Sequence, residues 1–153
     1  MKEEIKYDKH EEEWDKALND RDRNKVALTW LNQNSTLDRW RHDRMYDHLK
    51  PIIDFNNKKS WLTVGDGRYG TDANALFKLG ATKVMCTDIS DKLLKIGSEK
   101  GFIKDYSAQN AENLTFDNDQ FDFTCVKRLI TIFLVRISRY TKCSVFLNSV
   151  LFL

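Results

Sequence analysis

The sequence predicts an α/β fold with a mostly parallel β-sheet, and two observations carry that prediction. Short apolar runs that suit buried strands alternate along the chain with segments of helical periodicity. A glycine-rich turn joins the first of these runs to the helical segment that follows it. Strands that alternate with helices pair in parallel through right-handed crossovers, so we expect one sheet covered by helices.

Composition limits the class of protein. The chain has 153 residues, enough for one domain with a modest core, and a net charge of +2 that gives no general reason to expect nucleic-acid binding. Cys86, Cys125 and Cys143 form no CxxC pair or Cys/His cluster, which predicts neither a disulfide framework nor a metal site. A charged N-terminus without an apolar core predicts no signal peptide, and a reducing cytoplasm is the expected location.

Residues 1–50 are predicted to form an N-terminal helical segment. Residues 2–25 are nearly all charged or polar and indicate a solvated amphipathic helix. A capping-box-like start at residues 35–38 opens a longer helix of about four turns, which Pro51 kinks or ends. The three histidines have no ligand partners at useful spacing and are predicted to lie on the surface. The predicted apolar face comprises Leu37, Trp40, Met45, Leu49, Ile52 and Ile53, and the histidines are His10, His42 and His48.

The stretch from Trp61 to Asp88 organises the rest of the chain. It contains an apolar run, a turn with three glycines, a helix-like segment over residues 71–79, and a second β-rich run that ends on Asp88. Glycines let the backbone turn tightly and let a ligand approach closely. The following helix directs its unpaired N–H groups toward that ligand, and a carboxylate at a strand tip can accept both hydroxyl protons of a ribose.

The later segments continue the alternation. We expect a helix over residues 89–97 with Ser90 as its N-cap, a short third strand within residues 102–106, and a buried fourth strand over residues 121–126. The glycines Gly65, Gly67 and Gly70 fit the GxGxxG spacing of a dinucleotide site, and Asp88 lies eighteen residues beyond the third. Taken alone, this motif favours an NAD-dependent oxidoreductase.

A second block changes that interpretation. Residues 110–116 read NAENLTF and residues 119–122 read DQFD. This resembles a block of the class I S-adenosylmethionine-dependent methyltransferases, in particular the methyltransferase type 11-like group, in which D-A-E-x-L-P-F precedes D-x-S-F-D. Asn110 stands where the family has Asp, and Thr115 where it has Pro. The resemblance covers roughly residues 37–126, and it implies a Rossmann-like three-layer sandwich that binds S-adenosylmethionine.

The resemblance also implies roles for individual residues. Gly65 and Gly67 would line the methionine and ribose parts of the cofactor, Asp88 would bind the ribose hydroxyls, and Asn110 and Ala111 would flank the adenine. The family's acid two residues before the first glycine is Thr63 here, so Asp66 or Asp72 could supply that carboxylate. The predicted cofactor-binding residues are Gly65, Asp66, Gly67, Asp88, Ile89, Asn110 and Ala111.

The C-terminal tail differs from the rest of the chain. Asp122 is the last carboxylate, and the cations after it, such as Arg136, are unbalanced. In the family the fourth strand is followed by a helix region with a segment like Y-H-H-F-P-R-P, and suitable codons for residues 130–136 encode that segment in a shifted frame. We therefore expect a frameshift near Lys127, which the nucleotide sequence of codons 124–130 tests. Residues 51–127 would then be a partial cofactor-binding domain, and residues 128–153 an atypical tail.

The expected function follows from these parts. The chain is predicted to transfer a methyl group from S-adenosylmethionine to an unknown small molecule, without nucleic-acid partners, and no catalytic base can be assigned. A cofactor-binding remnant without activity and an NAD-dependent oxidoreductase are the alternatives. The tail has cations at its centre, which disfavours a membrane span. The sheet is expected to be incomplete after its fourth strand, with an open edge that residues 144–147 could cover and with marginal stability as a consequence.

Overall fold

The computed structural model describes residues 21–128 and 131–135, and the first and last segments of the chain lie outside them. Helices and strands alternate from the first strand onward, as the sequence predicts. The helices are α1 (Arg21–Leu31), α2 (Leu37–Asp47), α3 (Lys50–Phe55), α4 (Thr71–Lys78) and α5 (Lys92–Glu99). The strands are β1 (Ser60–Val64), β2 (Lys83–Asp88), β3 (Asp105–Ala108), β4 (Phe123–Arg128) and β5 (Thr131–Val135).

The strands form one sheet in the order β3-β2-β1-β4-β5. The first four strands are parallel, with Val64 of β1 level with Thr87 of β2 and Val126 of β4. The α/β, Rossmann-like prediction is confirmed. Because the strands are parallel, their carboxyl ends meet at one edge. The chain adds strands on one side of β1 and then returns to β4 on the other, which makes this edge the expected place for a ligand.

The helices described here pack on one face of the sheet. Trp61, Cys86 and Cys125 contribute to that face, and residues of α2 to α5 cover them in the main hydrophobic cluster. The opposite face, with Leu62 and Val64, packs against side chains from the segment between β3 and β4. Both faces of the central strand β1 are therefore buried, as is typical of parallel sheets.

Strand β5 pairs with β4 in an antiparallel hairpin. Only residues 129 and 130 separate the two strands, whereas the family resemblance implies a helix at this point. The edge of β4 that was expected to be open is thus paired with β5. The alternative cover, residues 144–147, lies outside the described residues.

The predicted long helix is two helices. Helix α2 ends at Asp47, and α3 begins at Lys50 with Pro51 in its first turn, where proline is tolerated. The N-cap is Thr36, whose side chain accepts a hydrogen bond from the N–H of Arg39 at 3.1 Å. The predicted apolar face was wrong in its first turn, since Leu37 is 78% exposed and Trp40 is 56% exposed, whereas Leu49 and Ile53 are buried in the core as predicted.

Two further boundaries differ from the prediction. Ser90 is not the N-cap of the helix after β2, because α5 begins at Lys92 with Asp91 in the cap position. The Oγ of Ser90 accepts a longer hydrogen bond, 3.4 Å, from the N–H of Lys92. Strand β3 begins at Asp105, so residues 102–104 form the approach to it. Within the described residues, no helix has the length and apolar character needed to cross a membrane.

Candidate functional site

The loop after β1 is fastened to the end of β2. The N–H groups of Gly65 and Asp66 both donate to the carbonyl oxygen of Thr87, at 2.9 and 3.0 Å. Gly65 has a φ of +79°, which a residue with a Cβ adopts only with strain. No heavy atom lies within 4 Å of the position that a Cβ would take at Gly65, so its backbone borders open space.

Gly67 lies directly against the side chain of Asp88. A Cβ built on Gly67 would be 2.8 Å from Oδ2 of Asp88, closer than real Cβ atoms approach an oxygen. A Cβ at residue 67 would therefore force the Asp88 carboxylate to shift, and glycine lets the loop and this carboxylate lie in contact. The other oxygen, Oδ1, accepts a hydrogen bond of 3.3 Å from the N–H of Ser90. The structure thus brings together two of the predicted site residues from separate parts of the chain.

The segment after β3 reaches the same edge of the sheet. The N–H of Gln109 donates to the carbonyl oxygen of Asp88 at 2.7 Å, which places residue 110 beside the end of β2. Asn110 is half-buried, and its Oδ1 accepts a hydrogen bond of 2.9 Å from the N–H of Glu112. A carboxamide oxygen has a second lone pair, so Asn110 can still accept a proton from a ligand amino group.

The remaining predicted residues of this edge are Ile89, which is half-buried, and Ala111, which is exposed. The loop that carries Ala111 is closed by the side chain of Gln109, whose Oε1 accepts a hydrogen bond of 3.1 Å from the N–H of Thr115. Thr115 stands at the position of the family's proline, which has no N–H. This bond therefore depends on the residue that departs from the family pattern.

Asp66 points away from this surface, into the protein. It is 1% exposed and accepts hydrogen bonds from the N–H groups of Asp72 and Ala73, at 2.9 and 2.8 Å. The Thr63 hydroxyl and the Cys86 thiol also donate to it, at 3.1 and 3.3 Å. Burial, with the nearby charge of Asp72, raises the pKa of Asp66 to about 8. Its carboxylate lies beside Thr63, the residue that stands at the family's acidic position in the sequence.

His42 is buried, which corrects its prediction as a surface residue. Its Nε2 lies 2.8 Å from Oδ1 of Asp72, and their side chains are 10% and 3% exposed. Tyr46, one turn further along α2, also makes a hydrogen bond to Asp72, and burial raises the pKa of its hydroxyl. The signal that could have found this pair is the i, i+4 spacing of His42 and Tyr46 on one face of α2. Exposed His48 agrees with its prediction, and His10 lies outside the described residues.

The outer part of the glycine loop packs against the N-terminal helices. Tyr69 has a φ of +60° and is buried with Trp30 of α1 and Leu93 of α5. Arg68 places its guanidinium 5.3 Å from the centroid of the Trp30 ring. The N-terminal helices thus contact the outer side of the loop through Trp30. Trp40 and Arg44 contact each other on an exposed surface, with Arg44 lying 5.4 Å from the Trp40 ring centroid.

The groups at this edge fit a nucleoside cofactor. Asp88 offers a carboxylate for a pair of hydroxyls, Asn110 offers an amide oxygen for an amino group, and Gly65 leaves its backbone open to contact. Over residues 21–128 and 131–135, no group of three or more histidine, cysteine or acidic side chains is arranged to hold a metal ion. The positions of Asp88, Asn110 and Gly65 favour binding of an organic cofactor by hydrogen bonds and contact.

Comparison with known proteins identifies the family. No curated protein and no solved structure matches the chain. A family model described as a methyltransferase domain matches residues 62–142, which is more than half of the chain. The match includes β1 to β5, the glycine loop and Asn110, and it continues beyond Lys127 into the segment where a frameshift was predicted. The chain therefore belongs to this methyltransferase domain family of class I enzymes, whose members bind S-adenosylmethionine as the methyl donor.

Proposed function

We propose that this chain transfers the methyl group of S-adenosylmethionine to a small molecule and holds the cofactor at the carboxyl ends of β1, β2 and β3. The observation that carries the proposal is the contact between Gly67 and Asp88. Through this contact the Asp88 carboxylate lies beside the glycine loop, whose Gly65 borders open space, at the edge where parallel sheets bind their ligands. The residues proposed to contact the cofactor are Gly65, Gly67, Asp88, Ile89, Asn110 and Ala111.

Each residue has a role that suits its surroundings. Asp88 accepts hydrogen bonds from the two ribose hydroxyls, and the glycines let the cofactor lie on the loop backbone. Asn110 accepts a hydrogen bond from the adenine amino group, while Ile89 and Ala111 flank the ring. Asp66 contributes through the shape of the loop, because its carboxylate is occupied by four internal donors.

Methyl transfer does not require a covalent intermediate with the protein. The sulfonium of the bound cofactor is already an activated methyl donor. The chain's own task is to hold the acceptor in line with the methyl group at contact distance, since orientation alone can supply a large part of the rate enhancement. The acceptor is proposed to be a small molecule because the charge balance of the chain gives no sign of a nucleic-acid surface. A cytoplasmic location also stays a proposal.

Cofactor binding is tested by calorimetric titration with S-adenosylhomocysteine and with NAD. We expect binding of the first and not of the second. The Asp88→Ala variant should weaken S-adenosylhomocysteine binding by roughly 10- to 100-fold, since two charge-assisted hydrogen bonds are lost. Asp91→Ala is the matched control, because Asp91 is an exposed carboxylate three residues away that makes no capping hydrogen bond. Equal affinity of Asp88→Ala and wild type would remove Asp88 from the site, and binding of NAD alone would support an oxidoreductase.

The acceptor class is tested by methyl transfer from isotope-labelled S-adenosylmethionine. Cell extract is divided into small molecules, nucleic acids and proteins, and each fraction is incubated with the protein. Label that enters the small-molecule fraction supports the proposal. Label that enters nucleic acid or protein instead would contradict the proposed acceptor class while leaving methyl transfer intact.

A second function is a cofactor-binding remnant without activity. The β4–β5 hairpin favours it, because two residues replace the helix that the family resemblance implies after the fourth strand. Acceptor and base groups in this family commonly come from that region. Binding of S-adenosylhomocysteine together with no label in any of the three fractions would support the remnant over the enzyme.

A further inference from the structure

A buried histidine–aspartate pair joins helix α2 to the first turn of helix α4. His42 belongs to α2 and Asp72 to α4, and Nε2 of the one lies 2.8 Å from Oδ1 of the other. Trp30 of α1 closes over the pair, with its ring edge-on to the imidazole at a centroid distance of 5.2 Å. The pair thus lies between α1, α2 and the first turn of α4.

The pair is continuous with the glycine loop. The N–H of Asp72 donates to Oδ1 of Asp66, and the N–H of Ala73 donates to Oδ2. Asp66 lies between Gly65 and Gly67, and its carbonyl oxygen accepts a hydrogen bond of 3.1 Å from the N–H of Gly70. Its side chain and its backbone therefore both depend on where the first turn of α4 is held.

The charges in this network require a donor for Asp72. Two carboxylates, Asp66 and Asp72, are buried within one set of hydrogen bonds, and each is 2% exposed or less. The other titratable groups near the pair are the Tyr46 hydroxyl on α2 and the buried thiols of β2 and β4. A buried carboxylate without adequate donors is costly, so the N–H of His42, together with the Tyr46 hydroxyl, holds Asp72 in place.

We propose that His42 is a positioning residue of the cofactor site, which holds Asp72 and, through Asp66, sets the conformation of the loop from Gly65 to Gly67. His42 does not touch the cofactor in this arrangement. The proposal deepens the proposed function and rests on it, since the loop matters for activity only where the cofactor binds. It makes the N-terminal helices part of the binding machinery although they contribute no ligand.

The test compares two replacements of His42 with a control on the same helix. His42→Phe keeps a ring but removes the N–H, and His42→Gln places an amide N–H where Nε2 lies. His48→Gln is the control, because His48 caps the end of α2 and is exposed. Hydrogen exchange by mass spectrometry follows the amides of residues 65–73, and calorimetry measures affinity for S-adenosylhomocysteine.

In His42→Phe we expect exchange in residues 65–73 to accelerate at least tenfold and S-adenosylhomocysteine affinity to fall at least tenfold. The amides of β2 and β3 should keep their protection, which separates loop positioning from general destabilisation. His42→Gln should recover most of both effects, and His48→Gln should match the wild type.

Three results would overturn the proposal: unchanged exchange in residues 65–73, faster exchange spread equally over the sheet, or a loosened loop with undiminished affinity. The exchange measurement needs no ligand. If the wild type fails to bind S-adenosylhomocysteine, the proposed function fails, and the exchange data alone then decide whether His42 positions the loop.

Discussion

Two aspartates lie at opposite ends of strand β1, and their surroundings shift their pKa values in opposite directions. Asp66 follows the carboxyl end, is fully buried, and has its pKa raised to about 8 by that burial and by Asp72. Asp122 lies beside the amino end and binds Nζ of Lys59 at 2.7 Å and the N–H of Ser60 at 2.8 Å. These bonds to Lys59 and Ser60 lower the pKa of Asp122 to about 2.

The difference shows that the aspartate at the amino edge links two strands, whereas the aspartate at the carboxyl edge fixes the conformation of a loop. At the amino edge, the ammonium of Lys59 compensates Asp122, and the result ties β1 to the start of β4. At the carboxyl edge, Asp66 receives hydrogen bonds from backbone, hydroxyl and thiol groups, and its ionised form is costly. Asp66 fixes the conformation of the loop that contacts Asp88, and ionisation of its buried carboxyl costs stability. Such a cost is common where a binding site requires a particular backbone conformation.

The largest expected effect comes from removing each carboxylate in turn. Asp66→Ala leaves the N–H groups of Asp72 and Ala73 buried without their acceptor. Each such loss costs about 1–3 kcal/mol, so the free energy of unfolding should fall by about 2–6 kcal/mol. Asp122→Ala should cost only about 1 kcal/mol, because its side chain is 35% exposed and solvent replaces part of the interaction. Urea denaturation at pH 6 measures both. A larger loss for Asp122→Ala would reverse the assigned roles of the two edges.

Much of the carboxyl edge could be predicted from the sequence. The glycine spacing and the position of Asp88 depend on local rules, namely backbone freedom at glycine and the placement of strand ends, and the structure places Gly67 against Asp88 accordingly. The Asn110 segment could also be recognised from the sequence, because its motif is a single contiguous run of residues.

The buried network could not be predicted, because it depends on contacts between distant segments. Helix α2 reads LDRWRHDRMYD, and its charged residues hide which face is buried. His42 is buried where it contacts Asp72, which lies thirty residues later in the chain. The β4–β5 hairpin was missed for a related reason, since an apolar run shows that a strand is possible but not which partner it pairs with or in what direction.

The pH dependence of stability gives the second prediction. The folded pKa of Asp66, about 8, lies above its unfolded value of about 3.9, so the folded state binds the proton more tightly. The contribution of this group is therefore fully present below about pH 4 and is lost as the pH rises through about 8. Between these values, the free energy of unfolding should fall by up to about 1.4 kcal/mol per pH unit, measured by urea denaturation from pH 5 to 8.

Asp66→Asn is the control for that slope. The amide cannot ionise, so the variant should be less stable than the wild type at pH 5 and should show a flatter dependence on pH. If the two proteins keep a constant difference in stability from pH 5 to 8, Asp66 does not titrate in this range, and the contrast with Asp122 rests on geometry alone.

The smallest effect is expected at the amino edge, on the acid side. The folded pKa of Asp122, about 2, lies below its unfolded value of about 3.9, so its contribution is present above pH 4 and is lost as the pH falls through about 2. Asp122→Asn should lower the free energy of unfolding by about 0.5–1 kcal/mol at pH 7 and by almost nothing near pH 2, as urea denaturation would show.

Asp54→Asn is the control that compares the stability effect of Asp122 with that of an ordinary surface ion pair. Asp54 lies 3.0 Å from Nζ of Lys50 one turn away on α3, and both side chains are more than half exposed. Such a pair contributes at most about 0.5 kcal/mol, so Asp54→Asn should be the milder of the two variants at pH 7. Asp122 differs because it also accepts the N–H and the hydroxyl of Ser60. Equal effects of the two variants would mean that these bonds add nothing, and Asp122 would then be one more surface ion pair and not the link between β1 and β4.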